Sequence, residues 1–402
     1  MKKNMNIRGL LALLLAVVMS LSLIACGNEP AATEGPTEPV IVAPANPDEM
    51  ITERSVFLSA GESAQLTVNY ENVTFASSDT KVATVDEAGK VTAVGKGTAL
   101  ITVSCAGAED YCGILVEQQG SAIDITTLRA NALFTDLKLN AQTGIVGMAL
   151  NPGQGTVYFS QSYAPSSYAP QSADLIVTKA ELEGETWICG SWMRFYESGT
   201  GYLGVEMENG KELLWLESGG SVYGVGIALS RVEWTDEACL RTAYGDTVTL
   251  ADTAMPAPAV DAENDLLLVR DQSTGEYVLY DRSALLAGET PVALHRFSCE
   301  SRQTPAAGED DSQGRYNASL RGFALADGYV YQISGKNSIY VSVFDLNGVL
   351  QYCQRLEDYP ELSLRYPAAI AVEDGKVYVA VQSGIDTYIL ANLWVYEQAQ
   401  AE

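Results

Sequence analysis

Basic residues and histidine are scarce in this sequence. Its 402 residues include 51 Asp and Glu but only 24 Lys and Arg, together with a single His, which gives a formal net charge of −27. No basic stripe is present to displace phosphate counterions, so the composition argues against a nucleic-acid partner or an anionic membrane surface. One His cannot build a three-histidine zinc site or an HExxH helix. The sequence therefore predicts no metal site and no cofactor.

Long apolar runs are absent except at the N-terminus. Two lysines and one arginine precede the apolar run from Leu10 to Ala25, which is the arrangement of a secretory signal. The segment Leu23-Ile24-Ala25-Cys26-Gly27 resembles the lipobox of bacterial lipoprotein signal peptides. That resemblance implies a signal peptide over residues 1–25, acylation of Cys26, and a mature protein anchored through membrane lipid outside the cytoplasm. An ordinary signal peptide with a chance Cys is the alternative.

The next segment, residues 26–50, is rich in Pro, Glu and Thr and has few residues that could enter a hydrophobic core. Such a composition predicts an extended acidic linker.

Residues 51–118 change to short alternating segments separated by turn residues, a pattern typical of a small antiparallel sandwich. Four segments resemble the bacterial immunoglobulin-like domain of group 2, in that family's order: Phe75–Asp79, Val82–Asp86, Gly89–Ala93 and Gly97–Val103. The resemblance implies a rigid extracellular module without catalytic residues. Cys105 and Cys112 flank the tip of its last hairpin, and they are a candidate disulfide if they face each other. Two reduced thiols are the alternative.

Residues 119–402 show no sustained helical periodicity, and strand pairs recur instead. Units begin near Val146, Pro258, Arg321 and Pro367, and the gap after the first leaves room for a fifth unit over 201–217. Five units of about 57 residues each would fill the segment. We therefore predict an all-β chain: a small Ig-like β-sandwich followed by a five-bladed β-propeller. An irregular double sandwich is the alternative.

Part of this region resembles five-bladed propellers of the helveticin J and teichoic acid biosynthesis protein C-like group. The resemblance covers Gln142 to Ser160, Ala173 to Thr178, Met193 to Phe195, Gly199 to Glu206 and Glu212 to Trp215. That group has a Gly-His-Gly element before a Glu strand and an aromatic-Trp strand, but Thr200 stands here in place of the His. The resemblance implies ligand contacts by Gly199, Thr200, Gly201, Glu206 and Trp215.

Other residues allow a functional and a structural interpretation. Tyr163 and Tyr168 lie in a long Tyr/Ser/Pro segment and could stack on sugar rings, although such a segment could equally wrap a blade edge. The tryptophans are expected mostly in the core, and Glu206 with Glu208 is expected to be solvated. The acidic stretch 308–314 lacks the spacing of a calcium loop. The sequence selects no pairing among Cys189, Cys239, Cys299 and Cys353.

Two functions remain open at this stage. The first is a non-catalytic binding or adhesion lipoprotein whose propeller recognises a cell-envelope glycan or a surface protein. The alternative is a cell-envelope glycan hydrolase or lyase, with carboxylates that converge from separate blades. No catalytic triad, metal cluster or phosphate loop is recognisable in the sequence, so it predicts no catalytic residue.

Overall fold

The computed structural model describes residues 49–134, 145–151, 155–163, 174–183, 186–195, 201–218, 228–236, 239–241, 246–250, 252–299, 320, 322–335, 339–356, 365–383 and 390–398. The predicted signal peptide, Cys26 and nearly all of the predicted linker lie outside these ranges.

The first domain is a sandwich of two sheets. One sheet has the order β1-β7-β6-β3, with β1 parallel to β7, and the other has the order β2-β5-β4. The strands are β1 (Ser55–Leu58), β2 (Ser63–Gln65), β3 (Thr74–Ser77), β4 (Ala83–Val85), β5 (Lys90–Ala93), β6 (Gly97–Cys105) and β7 (Ala108–Val116). Inward-facing residues such as Val91, Ile101, Val103 and Ile114 are fully buried between the sheets. This confirms the predicted Ig-like sandwich.

The predicted disulfide between Cys105 and Cys112 is wrong. In the β6–β7 hairpin Cys105 pairs with Ala108, whereas Cys112 pairs with Ile101, so the two cysteines are not opposite each other. Both are free thiols buried in the sandwich core, and burial raises the pKa of Cys112 to about 12. The hairpin turn is shorter than the sequence suggested, because Ala106 and Gly107 alone form it with positive φ angles.

The second domain contains five antiparallel sheets, which we number as blades in chain order. Blade 1 has β9 (Ile145–Asn151), β10 (Thr156–Tyr163), β11 (Asp174–Glu183) and β12 (Thr186–Phe195), and blade 2 has β13 (Gly204–Glu208), β14 (Lys211–Ser218), β15 (Ala228–Glu233) and β17 (Asp246–Thr249). Blade 3 has β18 (Pro256–Asp261), β19 (Leu266–Asp271), β20 (Tyr277–Asp281) and β21 (His295–Phe297). Blade 4 has β22 (Gly322–Ala326), β23 (Tyr329–Ser334), β24 (Tyr340–Asp345) and β25 (Leu350–Arg355).

Blade 5 joins the two ends of the domain. It consists of β26 (Arg365–Glu373), β27 (Lys376–Ser383) and β28 (Leu390–Gln398), and its outer strand is β8 (Leu128–Phe134), which comes from the start of the domain. The first strands of the five blades contact one another in a closed ring, β9-β13-β18-β22-β26 and back to β9. The ring confirms the predicted five-bladed propeller, with the fifth unit at the position expected between the first and second recognised repeats.

Two short elements complete the described secondary structure. A 3-10 turn covers Ile125–Thr127, and helix α1 covers Arg282–Leu286 with Asp281 as its N-cap. Strand β16 (Cys239–Arg241), from the connection between β15 and β17, adds in parallel to the outer strand of blade 1. It thereby covers an otherwise exposed sheet edge.

The two ends of the ring are built differently. Because strands alternate in direction within a blade, all five connections from first to second strand lie at one end, which we call the turn end. In three blades this connection is a two-residue turn with both residues at positive φ: Asn209-Gly210, Asp327-Gly328 and Asp374-Gly375. Asn-Gly and Asp-Gly are the pairs preferred in such type I′ hairpins. We call the opposite end the loop end, where longer segments such as 164–173, 219–227 and 298–321 join the strands.

The Ig-like domain packs against the turn end of blades 3 and 4. Leu115 belongs to the hydrophobic cluster of those blades, together with Leu294 and Phe344. Thr98 Oγ1 donates to Asp281 at 2.6 Å, and a Cβ on Gly113 would overlap the carbonyl of Leu294. The contact therefore depends on a glycine at the closest approach of the two backbones.

Candidate functional site

The ring encloses a cavity of about 390 Å³ along the propeller axis, and all five innermost strands contribute to its wall. Most of the lining is apolar, and it includes an alanine from each of four blades: Ala149, Ala259, Ala324 and Ala371. Small residues at these positions suit a place where five strands converge on the axis.

An aromatic cluster lies at the loop end of blades 2 to 4. The rings of Tyr202 and Phe323 have centroids 5.6 Å apart, Phe323 meets Tyr277 edge-on at 5.3 Å, and Tyr277 stacks on Phe297 at 5.5 Å. Tyr277 is held further by Gln332, whose Nε2 donates to its hydroxyl at 2.8 Å. Tyr202 is only half-buried, whereas the other three rings are buried. It is therefore the member of the cluster that presents an aromatic surface towards solvent.

Local backbone packing explains why Tyr202 occupies this position. Gly201 has a φ of 77°, and a Cβ on it would collide with Val146 of blade 1. Its carbonyl accepts a hydrogen bond from the fully buried Ser160 hydroxyl. The predicted site residue Gly201 is thus a structural residue, and it fixes the direction in which the chain enters β13. In the sequence, Tyr202 is recognisable only as part of the motif from Gly199 to Glu206, because nothing distinguishes it from the 20 other tyrosines.

The turn end of the cavity is acidic. Each acidic residue on an innermost strand lies at the middle or the end of that strand, never at its start: Glu206, Glu208, Asp261 and Glu373. Asp327 and Asp374 of the two Asp-Gly turns also line the cavity. Burial raises the pKa of Asp261, although its carboxylate accepts hydrogen bonds from the backbone and side-chain amides of Asn264. Asp261, Asp327 and Asp374 thus lie in or next to the turns that close this end of the blades.

Glu206 is buried in an ion-pair network, and the expectation that it is solvated is wrong. Its carboxylate pairs with Arg231 Nε and, at 2.9 Å, with Arg282 Nη1, and its side chain has no exposed surface. Arg231 also pairs with Glu208 at 2.9 Å, and Arg282 with Asp265 at 3.0 Å. Arg282 follows β20 of blade 3, so the network joins blades 2 and 3 at the turn end. A carboxylate held between two guanidinium groups is a structural anchor and a poor general acid or base.

The remaining predicted ligand residues divide into two groups. Trp215 is fully buried among the core residues of blades 2 and 3, so its prediction as a ligand contact is wrong. Trp187, Trp234 and Trp394 are buried too, as expected of core tryptophans. Tyr168, Gly199, Thr200 and the side chain of Tyr163 lie outside the described residues, as does the acidic stretch 308–314.

The cysteines and the histidine of the second domain also have defined surroundings. Cys299 and Cys353 are free thiols, whereas the side chain of Cys239 lies outside the described ranges.

His295 lies at the contact with the Ig-like domain, where its Nδ1 is 2.5 Å from Ser55 Oγ and its ring meets Phe57 edge-on at 5.2 Å. Burial lowers the pKa of His295. In the described part of the chain, no three His, Cys, Asp or Glu side chains are grouped to hold a metal ion.

None of the helices in the described ranges is long and apolar enough to cross a bilayer.

Comparison with known proteins gives one family match and several fold matches. The model of the intimin immunoglobulin-like domain matches residues 71–107, and no curated protein sequence matches the chain. Among solved structures, the tail fibre of Staphylococcus aureus phage P68 is similar with a TM-score of 0.50 and 16% identity, covering 67% of this chain and 52% of that one. The chain thus spans about half the length of that protein.

Two carbohydrate-active enzymes show weaker similarity. An exo-β-1,3-galactanase from Phanerochaete chrysosporium, solved with galactose, has a TM-score of 0.36 and 12% identity over 66% of this chain and 63% of that one. A family 43 β-1,3-galactosidase with galactodeoxynojirimycin has a TM-score of 0.37 and 11% identity over 66% of this chain and 94% of that one. The match to the phage tail fibre, at 16% identity, bears on the fold alone. The chain is an immunoglobulin-like domain followed by a five-bladed propeller.

Proposed function

We propose that this protein is an extracellular lipoprotein that binds a cell-envelope glycan or a surface protein without catalysis, through the loop end of its propeller. The observation that carries the proposal is the unequal occupation of the two ends. The Ig-like domain packs on the turn end of blades 3 and 4, and the following segment continues along it, since Gly120 N donates to Asp327 O at 2.9 Å. Among the described residues, the contacts of the Ig-like domain lie at the turn end, so we assign the partner surface to the loop end, where Tyr202 is half-buried.

The order of segments along the chain fits a surface role. An anchor at Cys26 and an acidic linker would precede the Ig-like domain, and the propeller follows that domain in the sequence. The finer resemblances, to group 2 bacterial Ig-like domains and to helveticin J and teichoic acid biosynthesis protein C-like propellers, fit such a surface module.

The distribution of carboxylates supports binding over hydrolysis. Glycosidases place two carboxyl groups about 5 to 9.5 Å apart across the scissile bond. Here no innermost strand begins with an acid, and the central carboxylate, Glu206, is neutralised by two arginines. Tyr202, in contrast, supplies a ring of the kind that stacks on sugars or anchors protein contacts.

A glycan and cell-wall-fragment array tests the proposal directly. The full chain, purified in a detergent without a sugar head group, should retain at least one fragment, and incubation with that fragment should release no product detectable by mass spectrometry. Tyr202→Ala should weaken retention about ten-fold, as loss of an aromatic anchor does. Tyr111→Ala, on the Ig-like domain, is the matched control and should bind normally. Turnover of a retained fragment would contradict the proposal.

Anchoring is tested separately by metabolic labelling with an alkyne fatty acid in the producing bacterium. The wild-type chain should incorporate the label and fractionate with membranes, and Cys26→Ser should do neither. Labelling that survives Cys26→Ser would disprove acylation at this residue.

A further inference from the structure

Several arginines in the described part of the chain are paired with acids: Arg54, Arg231, Arg282 and Arg296. Such pairing is expected in a chain with a net charge of −27. An arginine that no acid neutralises is therefore an exception on this protein, and it marks a place at which the surface can hold an anion.

Arg270 is such a residue, and it lies at the loop end of blade 3. It is the second-last residue of β19 and is half-buried. Its Nη1 donates to Gln272 Oε1 at 3.0 Å, and its Cζ lies over the ring of Tyr277, 5.8 Å from the ring centroid. Its cross-strand neighbours are Ala257 and Tyr277, and neither is acidic. Within the described ranges, no ion pair joins Arg270 to an acid.

The two acids closest to Arg270 in the sequence form other contacts. Asp271 follows it in β19, so the Asp271 side chain lies on the opposite face of the strand. The Asp271 carboxylate accepts a hydrogen bond from the backbone amide of Ser273 at 2.7 Å, inside the turn between β19 and β20. Glu276 pairs with Arg296 at 3.1 Å. Neither acid compensates the positive charge of Arg270.

A second hydrogen-bond donor lies beside this guanidinium group. Because Gln272 Oε1 accepts from Arg270, Gln272 Nε2 is the donor end of the amide. That Nε2 atom is buried and has no acceptor among the described residues. A buried donor without an acceptor costs free energy, so native proteins usually supply an acceptor from the chain, from water or from a ligand. The two neighbouring donors therefore fit a group that is rich in acceptor oxygens.

Arg270 also continues the aromatic cluster of the loop end. Phe323 contacts both Tyr202 and Tyr277, at 5.6 and 5.3 Å between ring centroids, and Arg270 covers Tyr277. Aromatic rings pack on the apolar face of a sugar, and a guanidinium group binds an acidic substituent through paired N–H donors. Rings and a cation at the same end of the propeller thus match a glycan that carries an acidic group.

We propose that the loop end binds an acidic glycan and that Arg270 contacts its negatively charged group, a carboxylate or a phosphate. This inference rests on the proposed function and adds the class of glycan to it.

The overall charge of the chain limits the ligand further. Beyond a Debye length of about 8 Å at physiological salt, the charge of Arg270 is largely screened, so it acts on one nearby group. The net charge of −27 repels a densely charged polymer. Acidic groups spaced along an otherwise neutral glycan satisfy both conditions.

Retention of the full chain on protease-treated bacterial cell walls tests this inference. One portion of the walls is left unchanged, a second has its carboxylates amidated with ethanolamine and a carbodiimide, and a third is treated with hydrofluoric acid to remove phosphodiester-linked polymers. The wild type should bind the unchanged walls, and its retention should fall about ten-fold or more on one treated portion, as loss of a charge-assisted hydrogen bond predicts. Loss on the amidated walls identifies a carboxylate, and loss on the acid-treated walls identifies a phosphate.

Three variants accompany the wild type. Arg270→Gln should bind the unchanged walls about ten-fold less tightly, and the treatment that weakens the wild type should leave its retention unchanged. Arg270→Lys keeps the charge but loses the planar pair of donors, so its retention should lie between those of the wild type and Arg270→Gln. Lys96→Gln removes an exposed positive charge on the Ig-like domain and is the matched control, which should bind like the wild type. Thermal unfolding identifies any variant that is not folded.

Two results would overturn the inference alone: equal retention of the wild type on all three portions, or equal retention of the wild type and Arg270→Gln on the unchanged walls. If Arg270→Gln does not fold, wild-type retention of Arg270→Lys would overturn it instead. In each of these cases a weakened Tyr202→Ala would leave the proposed function in place. Failure of the wild type to bind any portion of the walls would contradict the proposed function as well.

Discussion

The two ends of the propeller differ in the interactions that fix their backbone. At the turn end, three Asx-Gly hairpins, the ion-pair network around Glu206 and the contact with the Ig-like domain fix the backbone. At the loop end, no innermost strand begins with an acid, the connections are longer, and the half-buried Tyr202 lies beside a buried aromatic cluster. The comparison indicates that charge at the turn end serves stability, which fits our proposal that recognition belongs to the loop end.

The largest effect should come from removing an arginine of the ion-pair network. Arg231→Met leaves Glu206 and Glu208 without one of their partners, and breaking a buried pair in this way costs about 3 to 5 kcal/mol. Urea denaturation measures the loss. On the same blade, Lys211→Met breaks only the exposed pair with Glu233 and should cost less than about 1 kcal/mol. Equal costs for the two variants would show that the turn end does not depend on its buried charges.

A smaller effect is expected at the contact between the domains. Gly113→Ala forces a methyl group onto the Leu294 carbonyl, and such overpacking costs about 1 to 3 kcal/mol. Limited proteolysis between residues 117 and 127 should accelerate as the contact loosens. Gly190→Ala is the control, because its Cβ would meet only Lys179 O at 4.0 Å. If both alanine variants are equally resistant, the domains do not depend on this close approach.

Acidification should loosen the same contact. Burial lowers the pKa of His295 in the folded protein, with Asp345 acting in the opposite direction more weakly. The unfolded chain therefore binds more protons than the folded one once the pH falls below the ordinary His value of about 6.5. The contribution of His295 is fully present above that pH and decreases below it. Denaturation series between pH 7.5 and 5 should show a steeper loss for the wild type than for His295→Gln; parallel curves would contradict this.

The smallest effect is expected at the acidic mouth of the cavity. Asp327→Asn and Asp374→Asn remove charge but keep a residue type that accepts positive φ in a type I′ turn. Stability should change by less than about 0.5 kcal/mol, and retention on the glycan array should not change. A loss of binding in either variant would move the recognition surface to the turn end.

Repetition made the propeller predictable from the sequence. Strand segments such as Gly328–Ile333 and Gly375–Ala380 repeat a pattern that is typical of propeller blades, and the Asp-Gly pairs that precede these strands are typical of type I′ turns. The closing role of β8 was not predictable, because its partner β28 is separated from it by almost the whole domain.

The candidate site was much less predictable. Glu206 and Trp215 both belong to a recognisable motif. Glu206 is nevertheless buried between two arginines, and Trp215 lies in a blade core. Arg231 and Arg282 come from separate blades, so no local spacing in the sequence predicts that both contact Glu206.

Selective obstruction of each end tests the central claim most directly. An azidophenylalanine at position 274, in the exposed turn between β19 and β20 at the loop end, or at position 263, in the connection between β18 and β19 at the turn end, allows one polyethylene glycol chain of about 5 kDa to be attached at a single exposed site. Retention of each conjugate on purified cell walls is then compared with that of the unmodified chain. The account predicts that the polymer at position 274 abolishes retention and that the polymer at position 263 leaves it unchanged. The reverse result would contradict it.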